Sequence, residues 1–547
     1  MRLVQRRIGL LFALFLVLLL MAGGRATWLG TVRADGLRAH ARSQQVQQTS
    51  VPARRGLITD RHGTELAVSE DSATVYANPF LIKDPAGTAA RLGPHLRRRP
   101  SEVEATLAQR GKGFAFLARQ LDGAAGAAIQ RMRIEGIGVE VAPKRVYPQR
   151  TLAGQLLGAV GTDGYGLSGL EQAHERALRG RDGERKVVKD ALGKPVSIVE
   201  TEPAESGRDL RLTIDAPIQE RAEAVLADVG RKHAPKGATA LVMDPRNGEI
   251  LAMANWPPVD PERFGGAPAY ARQNRAVAAN YEPGSTFKAF TVAGALEERT
   301  LDPETTFDLP PTITVADREI EESHERGPVT LSVAQILAAS SNVGSVTIGL
   351  ELGSKRFDRW VRRFGFGEGT DVDVPGEAQG IVPPPSEYSG SSMGNLPLGQ
   401  GLAVTPMQMA MGYQAVAMGG VTHTPHVATG TRVRRKRVLS ARTATQVSRM
   451  LEGVLGAGGT AQEARVPGYR LAGKTGTAEK PDGLGGYSKT KFVSSFIGYA
   501  PARHPRLLVA VMVDEPKGEI YGGLVAAPAF EKIVSFALPY MRIPPEG

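Results

Sequence analysis

The stretch EPGSTFKAF, Glu282 to Phe290, sets a serine and a lysine three residues apart. Residues at that spacing share one face of a helix. A neutral amine on Lys288 can then take the hydroxyl proton of Ser285 and turn it into a nucleophile, provided burial or a second cation lowers the lysine pKa. Pro283 and Gly284 break the chain ahead, and STFKAFTVAGALEE forms a helix well. Ser285 is therefore expected in the first turn, where free N–H groups and the positive end of the dipole favour negative charge. The plain alternative is a serine that caps a helix. Ser488 and Lys491 repeat the spacing in SKTK, so the pair alone decides nothing.

Two further clusters bear on the choice. SSN, Ser340 to Asn342, follows the amphipathic LSVAQILAAS at a junction between helices. It offers a hydroxyl on Ser340 that can relay a proton and an amide on Asn342 that can hold a carbonyl; a helix C-cap is the alternative for Asn342. KTGT, Lys474 to Thr477, follows YRLAG and reads as an edge strand. Lys474 would be the second cation, Thr475 and Thr477 can bind a carboxylate, and Gly476 lets a substrate backbone come close. S-x-x-K is expected about once by chance in such a chain, and K-T-G in roughly one such chain in ten. The ordered set is the signal, and Ser488, which lies after K-T-G, fails the order.

These residues need a scaffold. The chain has 547 residues, 42% apolar and 22% charged, which predicts a folded protein of two or three domains. Without cysteine, disulfides and thiolate metal sites are excluded. The net charge of +11 and the clusters Arg97–Arg99 and Arg432–Arg437 come without a basic helix, stacking aromatics or a zinc pattern, so they are read as solvated loops and not as a nucleic-acid surface. ATALVMDPRNGEILAMAN gives two apolar runs joined through Asn247-Gly248, a hairpin. RLLVAVMVD, Arg506 to Asp514, is a core strand, and APAFEKIVSFALPYM is a closing helix. Strands at both ends with helices between predict one α/β domain whose N- and C-terminal strands share a sheet. Upstream, a helix is expected from Ser101, with Glu104 at capping-box spacing, and a strand over Val139–Pro148. That stretch is mixed α+β and has no catalytic cluster.

At the N-terminus, Arg2, Arg6 and Arg7 precede an uncharged run from Ile8 to Gly24. As a helix this run reaches roughly 25 Å, enough for a hydrocarbon core. Positive charge ahead of it predicts a cytoplasmic N-terminus and an exported remainder. The alternative is a signal peptide cleaved near Ala22–Gly24. Residues 31–50 read as a polar tether.

The ordered triple S-x-x-K, S-x-N, K-T-G is that of penicillin-binding proteins and class A β-lactamases. Over nearly its whole length the chain resembles a class B penicillin-binding protein of the division (FtsI-like) type. RRGLITDRHGTELA (Arg54 to Ala67, with His62 where Asn is common), RVYP (Arg145 to Pro148) and GLSGLE (Gly166 to Glu171) look like its pedestal motifs. PLGQG (Pro397 to Gly401) and YGGLVAAPAF (Tyr521 to Phe530) look like parts of its transpeptidase domain. The resemblance implies an α/β transpeptidase domain of the penicillin-binding protein/serine β-lactamase type, an antiparallel sheet flanked by helices, over 206–547. An α+β pedestal over 51–205 would precede it, with a tail at 1–7, an anchor at 8–24 and a tether at 25–50.

It also implies a D,D-transpeptidase that cross-links peptidoglycan stem peptides in septal synthesis, with no cofactor and no metal. Ser285 would attack the D-Ala-D-Ala carbonyl with Lys288 as base, and backbone N–H groups of Ser285 and Thr477 would form the oxyanion hole. Ser340 and the lysines would protonate the leaving D-Ala, Asn342 would orient the peptide, and Lys474, Thr475 and Thr477 would hold its carboxylate. Implied partners are β-lactams, a SEDS-family glycosyltransferase and other divisome membrane proteins. Arg54, Asp60, Arg145 and Glu171 are expected to form buried ion pairs. A β-lactamase would need E-x-x-L-N between SSN and KTGT, which is absent. A D,D-carboxypeptidase, an elongation or sporulation transpeptidase, and a membrane-anchored β-lactam sensor or scaffold stay open.

Overall fold

The computed structural model describes residues 2–34, 46–109, 111–189, 195–483 and 486–546. The chain divides into two compact units. One holds Met1–Arg54, Ala73–Pro143 and Gly180–Gly207; the other holds Arg55–Ser72, Lys144–Arg179 and Arg208–Gly547.

The second unit is built on a five-stranded antiparallel sheet. Its order is Ile250–Trp256, Gly237–Met243, Leu507–Asp514, Tyr487–Ala500 and Ala472–Pro481. The first two strands are the hairpin expected around Asn247-Gly248, where Gly248 has φ +86°. Every residue of Gly237–Met243 and Leu507–Asp514 is buried, which is why both read as continuous apolar runs and not as alternating ones. Helices Ala216–His233 and Ala527–Tyr540 pack on each other and on the sheet, and Pro406–Ala417 also packs on the sheet strands. Ala216–His233 starts with the Asp215 carboxylate accepting from the Ile218 N–H. The strand that carries KTGT lies at the sheet edge, so one side of its backbone is left for another chain.

The linear split at residue 205 is not how the chain packs. Segments 55–72 and 144–179 join the second unit: Ile58, Leu66, Tyr147, Leu156 and Leu170 belong to the same core cluster as the sheet. An ionic knot fastens them. Glu171, fully buried, accepts from Arg55 Nη2 at 2.8 Å and from Arg145 Nε at 2.6 Å. Arg55 Nη1 also reaches Glu175 at 2.8 Å. The expected pairing therefore holds for Arg145 and Glu171, but the buried arginine is Arg55, while Arg54 is exposed. Asp60 is buried and has no ion pair among the described residues; its carboxylate accepts N–H groups of His62, Thr64 and Ala216.

In the first unit, a helix runs over Arg2–Thr31 and is long and apolar enough to cross a membrane. The tether reading fails at its far end, because Val46–Val51 is a strand paired with Gly183–Lys189. Residues 35–45 of that tether lie outside the described residues. The helix expected at Ser101 spans Pro100–Leu107, and Arg99 precedes it with no side-chain cap. Proline at its first position sets the start, so Ser101 lies inside the helix and no capping box forms.

Candidate active site

The helix Lys288–Glu297 is buried from Lys288 to Leu296. Its sequence offers no polar face, and helices Asn342–Leu352, Ser354–Arg363 and Ala441–Gly453 pack around it. A lysine at the first position of such a helix has no route to water, and Lys288 is 0% exposed. Ser285 lies in the tighter 3₁₀ turn Gly284–Phe287 immediately before. Gly284 takes φ +54° there, a conformation costly for other residues. The turn is pinned from three directions. The Gly284 N–H donates to Gly399 O at 3.0 Å, Tyr413 Oη donates to Thr286 O at 2.8 Å, and Thr286 Oγ1 donates to Pro283 O at 2.8 Å. Ser285 is half-buried and caps no helix. Its Oγ has no hydrogen-bond partner among the described residues.

The second cluster meets Lys288 directly. Ser340 ends helix Val333–Ala339 in the left-handed conformation, φ +60°. Ser341 then caps Asn342–Leu352, its side chain accepting from Gly344 N–H. This reversal turns the Ser340 carbonyl and the Asn342 amide toward the lysine. Lys288 Nζ donates to Ser340 O and to Asn342 Oδ1, each at 2.7 Å, and lies 3.5 Å from Ser340 Oγ. Asn342 therefore begins a helix and does not end one.

Sequence reasoning missed what holds this junction. The Glu322 carboxylate accepts from Ser341 Oγ at 2.5 Å and from the Asn342 N–H at 2.6 Å. It also pairs with Arg326. No spacing rule ties a loop glutamate to a helix start twenty residues on.

The third cluster lies on the edge strand Ala472–Pro481, which packs against the serine turn. A Cβ on Gly476 would come within 2.9 Å of Pro283 O and Thr286 Cγ2 and 2.5 Å of Ser495 Oγ. The close approach expected of a substrate at Gly476 is thus made by the chain itself. Lys474 is fully buried, and its Nζ donates to Thr475 O at 3.2 Å and Thr475 Oγ1 at 3.3 Å. Thr475 Oγ1 shares a 2.7 Å hydrogen bond with Thr460 Oγ1, a second partner that left no trace in the sequence pattern. Thr477 is half-buried, and its Oγ1 accepts from the Gly522 N–H at 3.0 Å. This ties the strand to the YGG segment.

The electrostatics follow from burial. Desolvation pulls the Lys288 pKa down to about 7, opposed by the Glu322 carboxylate, which raises it. Burial, and then the charge of Lys288, hold Lys474 well below the usual lysine value. Two cations cannot both persist in so dry a place. Glu322 is lowered, because hydrogen bonds from Ser341, Asn342 and Arg326 and the charge of Lys288 together outweigh its burial, the largest single influence. No group of three or more His, Asp or Glu side chains placed to hold a metal occurs among the described residues. Ser488 and Lys491 lie on the strand Tyr487–Ala500, with Lys491 exposed.

The chain is similar to known proteins over nearly its whole length. Residues 238–535 match the penicillin binding protein transpeptidase domain, and residues 50–212 the penicillin-binding protein dimerisation domain. The chain is 31% identical to stage V sporulation protein D of Bacillus subtilis, covering 99% of this chain and 87% of that protein. It is also 31% identical to peptidoglycan D,D-transpeptidase FtsI of Escherichia coli, covering 99% and 93%. Among solved structures, penicillin binding protein 3 of Mycobacterium tuberculosis in complex with aztreonam superposes with a TM-score of 0.70 at 28% identity, covering 91% of this chain and 98% of that one. With the paired transpeptidase and dimerisation domains and relatives aligned over almost its full length, the chain belongs to the class B penicillin-binding proteins.

Proposed function

We propose that the protein is a serine D,D-transpeptidase that cross-links peptidoglycan stem peptides during septal wall synthesis. The observation that carries this reading is the state of Lys288. Its two 2.7 Å contacts are to oxygen acceptors, Ser340 O and Asn342 Oδ1. In the neutral form the amine has two N–H donors for these two oxygens and a lone pair that can take the Ser285 proton when the serine turns toward it. A pKa drawn to about 7 populates that form near neutral pH.

In this mechanism the Ser285 proton passes to Lys288 as Oγ bonds to the carbonyl carbon of the penultimate D-Ala. Backbone N–H groups of Ser285 and Thr477 receive the developing oxyanion, each such donor contributing about 3–4 kcal/mol. The peptide C–N bond breaks, and the terminal D-Ala leaves with a proton delivered through Ser340. An amine of a second stem peptide then attacks the acyl-enzyme, forming the cross-link and returning the proton to Oγ. Lys474, Thr475 and Thr477 hold the terminal carboxylate, and Asn342 orients the peptide. β-Lactams present the same carbonyl and carboxylate and acylate Ser285.

The apolar helix supports membrane anchoring. We place the N-terminus in the cytoplasm and the catalytic unit outside the cytoplasmic membrane, with a SEDS-family glycosyltransferase and other divisome membrane proteins as partners. The test is fluorescent-penicillin labelling with peptide mass mapping, followed by cross-linking of lipid-linked substrate with the glycosyltransferase present. Label on Ser285 and cross-linked product are expected. Label elsewhere, or D-Ala release without cross-links, overturns the reading.

A further inference from the structure

A helix and a hairpin of the second unit join into one basic face. The helix Ser354–Arg363 buries Phe357, Trp360 and Val361 and leaves Lys355, Arg356, Arg359 and Arg363 exposed. The hairpin pairs Val421–His423 with Arg435–Arg437, and all three residues of the second strand are exposed. Arg363 Nε donates to Val438 O at 2.8 Å, which seats the end of the helix against the end of the hairpin. Ahead of that strand, Arg432 and Arg434 are exposed as well. Carboxylates answer only part of this charge. Arg359 pairs with Glu298 at 2.8 Å, Arg362 with Asp358 at 3.2 Å, and Arg434 with Asp371. Lys355, Arg356, Arg432, Arg435 and Lys436, all exposed, form no ion pair among the described residues.

The fold does not need these charges where they are. Lys355 and Arg356 occupy the first turn of their helix, which holds no acidic residue, at the end where the helix dipole disfavours cations. Arg359 stands four residues from both Lys355 and Arg363, so like charges face each other along the helix. Arg435 and Arg437 share one side of their strand. An anionic partner would relieve this repulsion, and the pattern says which kind. Cations recur about 5–6 Å apart on the helix and about 6–7 Å apart on the strand. They extend over roughly 20 Å from Arg356 through Arg363 and Val438 to Arg435. That suits a linear chain with a charge in every short repeat. Guanidinium forks grip paired phosphate oxygens, and all but two of these cations are arginines. Among the exposed side chains of the helix and of Arg432–Arg437, only Val433 is large and apolar, so the face lacks what an interfacial helix buries in a bilayer. The carboxylates of stem peptides lie on branches and not along the chain.

We propose that this face binds a linear phosphodiester polymer of the cell wall, a polyol-phosphate chain, at a site separate from Ser285. The polymer holds the catalytic unit against the wall in which it works. The inference goes beyond the transpeptidase reading and takes from it only the placement of the catalytic unit outside the membrane.

The test measures capture of the full-length protein, held in phosphatidylcholine nanodiscs, by immobilised poly(glycerol phosphate). Poly-L-glutamate of equal charge, peptidoglycan sacculi stripped of attached polymers, and phosphatidylglycerol vesicles serve as comparison ligands. The phosphate polymer is expected to bind at least about tenfold tighter than polyglutamate, and its binding should fade as NaCl rises from about 50 to about 300 mM. The combined variant Lys355→Gln, Arg356→Gln, Arg435→Gln and Lys436→Gln should lose about tenfold in affinity with its Tm unchanged. The wild-type comparisons stand by themselves should that variant misfold. Wild-type affinity in the folded variant, equal affinity for polyglutamate, or capture by sacculi or vesicles and not by the phosphate polymer overturns the proposal. None of these outcomes touches the transpeptidase reading, which depends on the label at Ser285.

Discussion

Ser285 with Lys288 and Ser488 with Lys491 are the same four-residue pattern in one chain, with opposite outcomes. The first pair starts a core helix, where a spacing of three keeps both side chains on one face. The second lies at an irregularity in the strand Tyr487–Ala500, where Ser488 Oγ accepts from the backbone N–H of Lys491 and meets no lysine side chain among the described residues. Lys288 is sealed under three helices, while Lys491 is in solvent. Spacing becomes chemistry only through the element that carries it and the burial that element imposes.

The largest effect expected from this contrast is on the serines themselves. Ser285→Ala should abolish fluorescent-penicillin labelling, and Ser488→Ala should leave it at the wild-type level. Label lost in the second variant would break the comparison. Next come the lysines. Lys288→Met removes a general base and should slow acylation by on the order of 10²–10⁴, whereas Lys491→Met should stay within about twofold in stopped-flow acylation.

A smaller effect tests the packing between strand and turn. In Gly476→Ala the new methyl meets the Pro283 carbonyl and Thr286. The cost should be about 1–3 kcal/mol, read as a lowered Tm together with slower acylation.

The finest test is pH. Burial lowers Lys288 to about 7, so the reactive neutral amine is lost as pH falls below that value. The acylation rate should drop about tenfold per unit there and level off above. Glu322 raises the Lys288 pKa, so Glu322→Gln should move the limb to lower pH. A limb that moves up, or does not move, would mean that Lys288 is not the titrating base.

What the sequence made legible was local. The hairpin at Asn247-Gly248, the junction between helices at SSN and the edge strand that carries KTGT are patterns of neighbours, and these elements formed as read. What it hid was long-range. Glu322 and Thr460 bind their partners across loops with no periodic trace, and of two adjacent arginines only packing selects Arg55 over Arg54. Gly476 was read as room for a substrate backbone, and the sequence pattern gave no hint that a Cβ there would meet Ser495, Pro283 and Thr286 of the chain itself. Ser101 was read as a cap because the pattern ignored Pro100, whose ring fixes the helix start one residue earlier.

The knot of Arg55, Arg145 and Glu171 has a consequence for anyone who would isolate the catalytic half. No single cut yields it, because a fragment that begins at residue 208 lacks Ile58, Leu66, Leu156 and Leu170 from its own interior. The same holds for the nascent chain. Residues 55–72 and 144–179 are made first, yet they have no lasting place to pack until the later sheet exists. The interior of this unit cannot close until the late strand Leu507–Asp514 has been made.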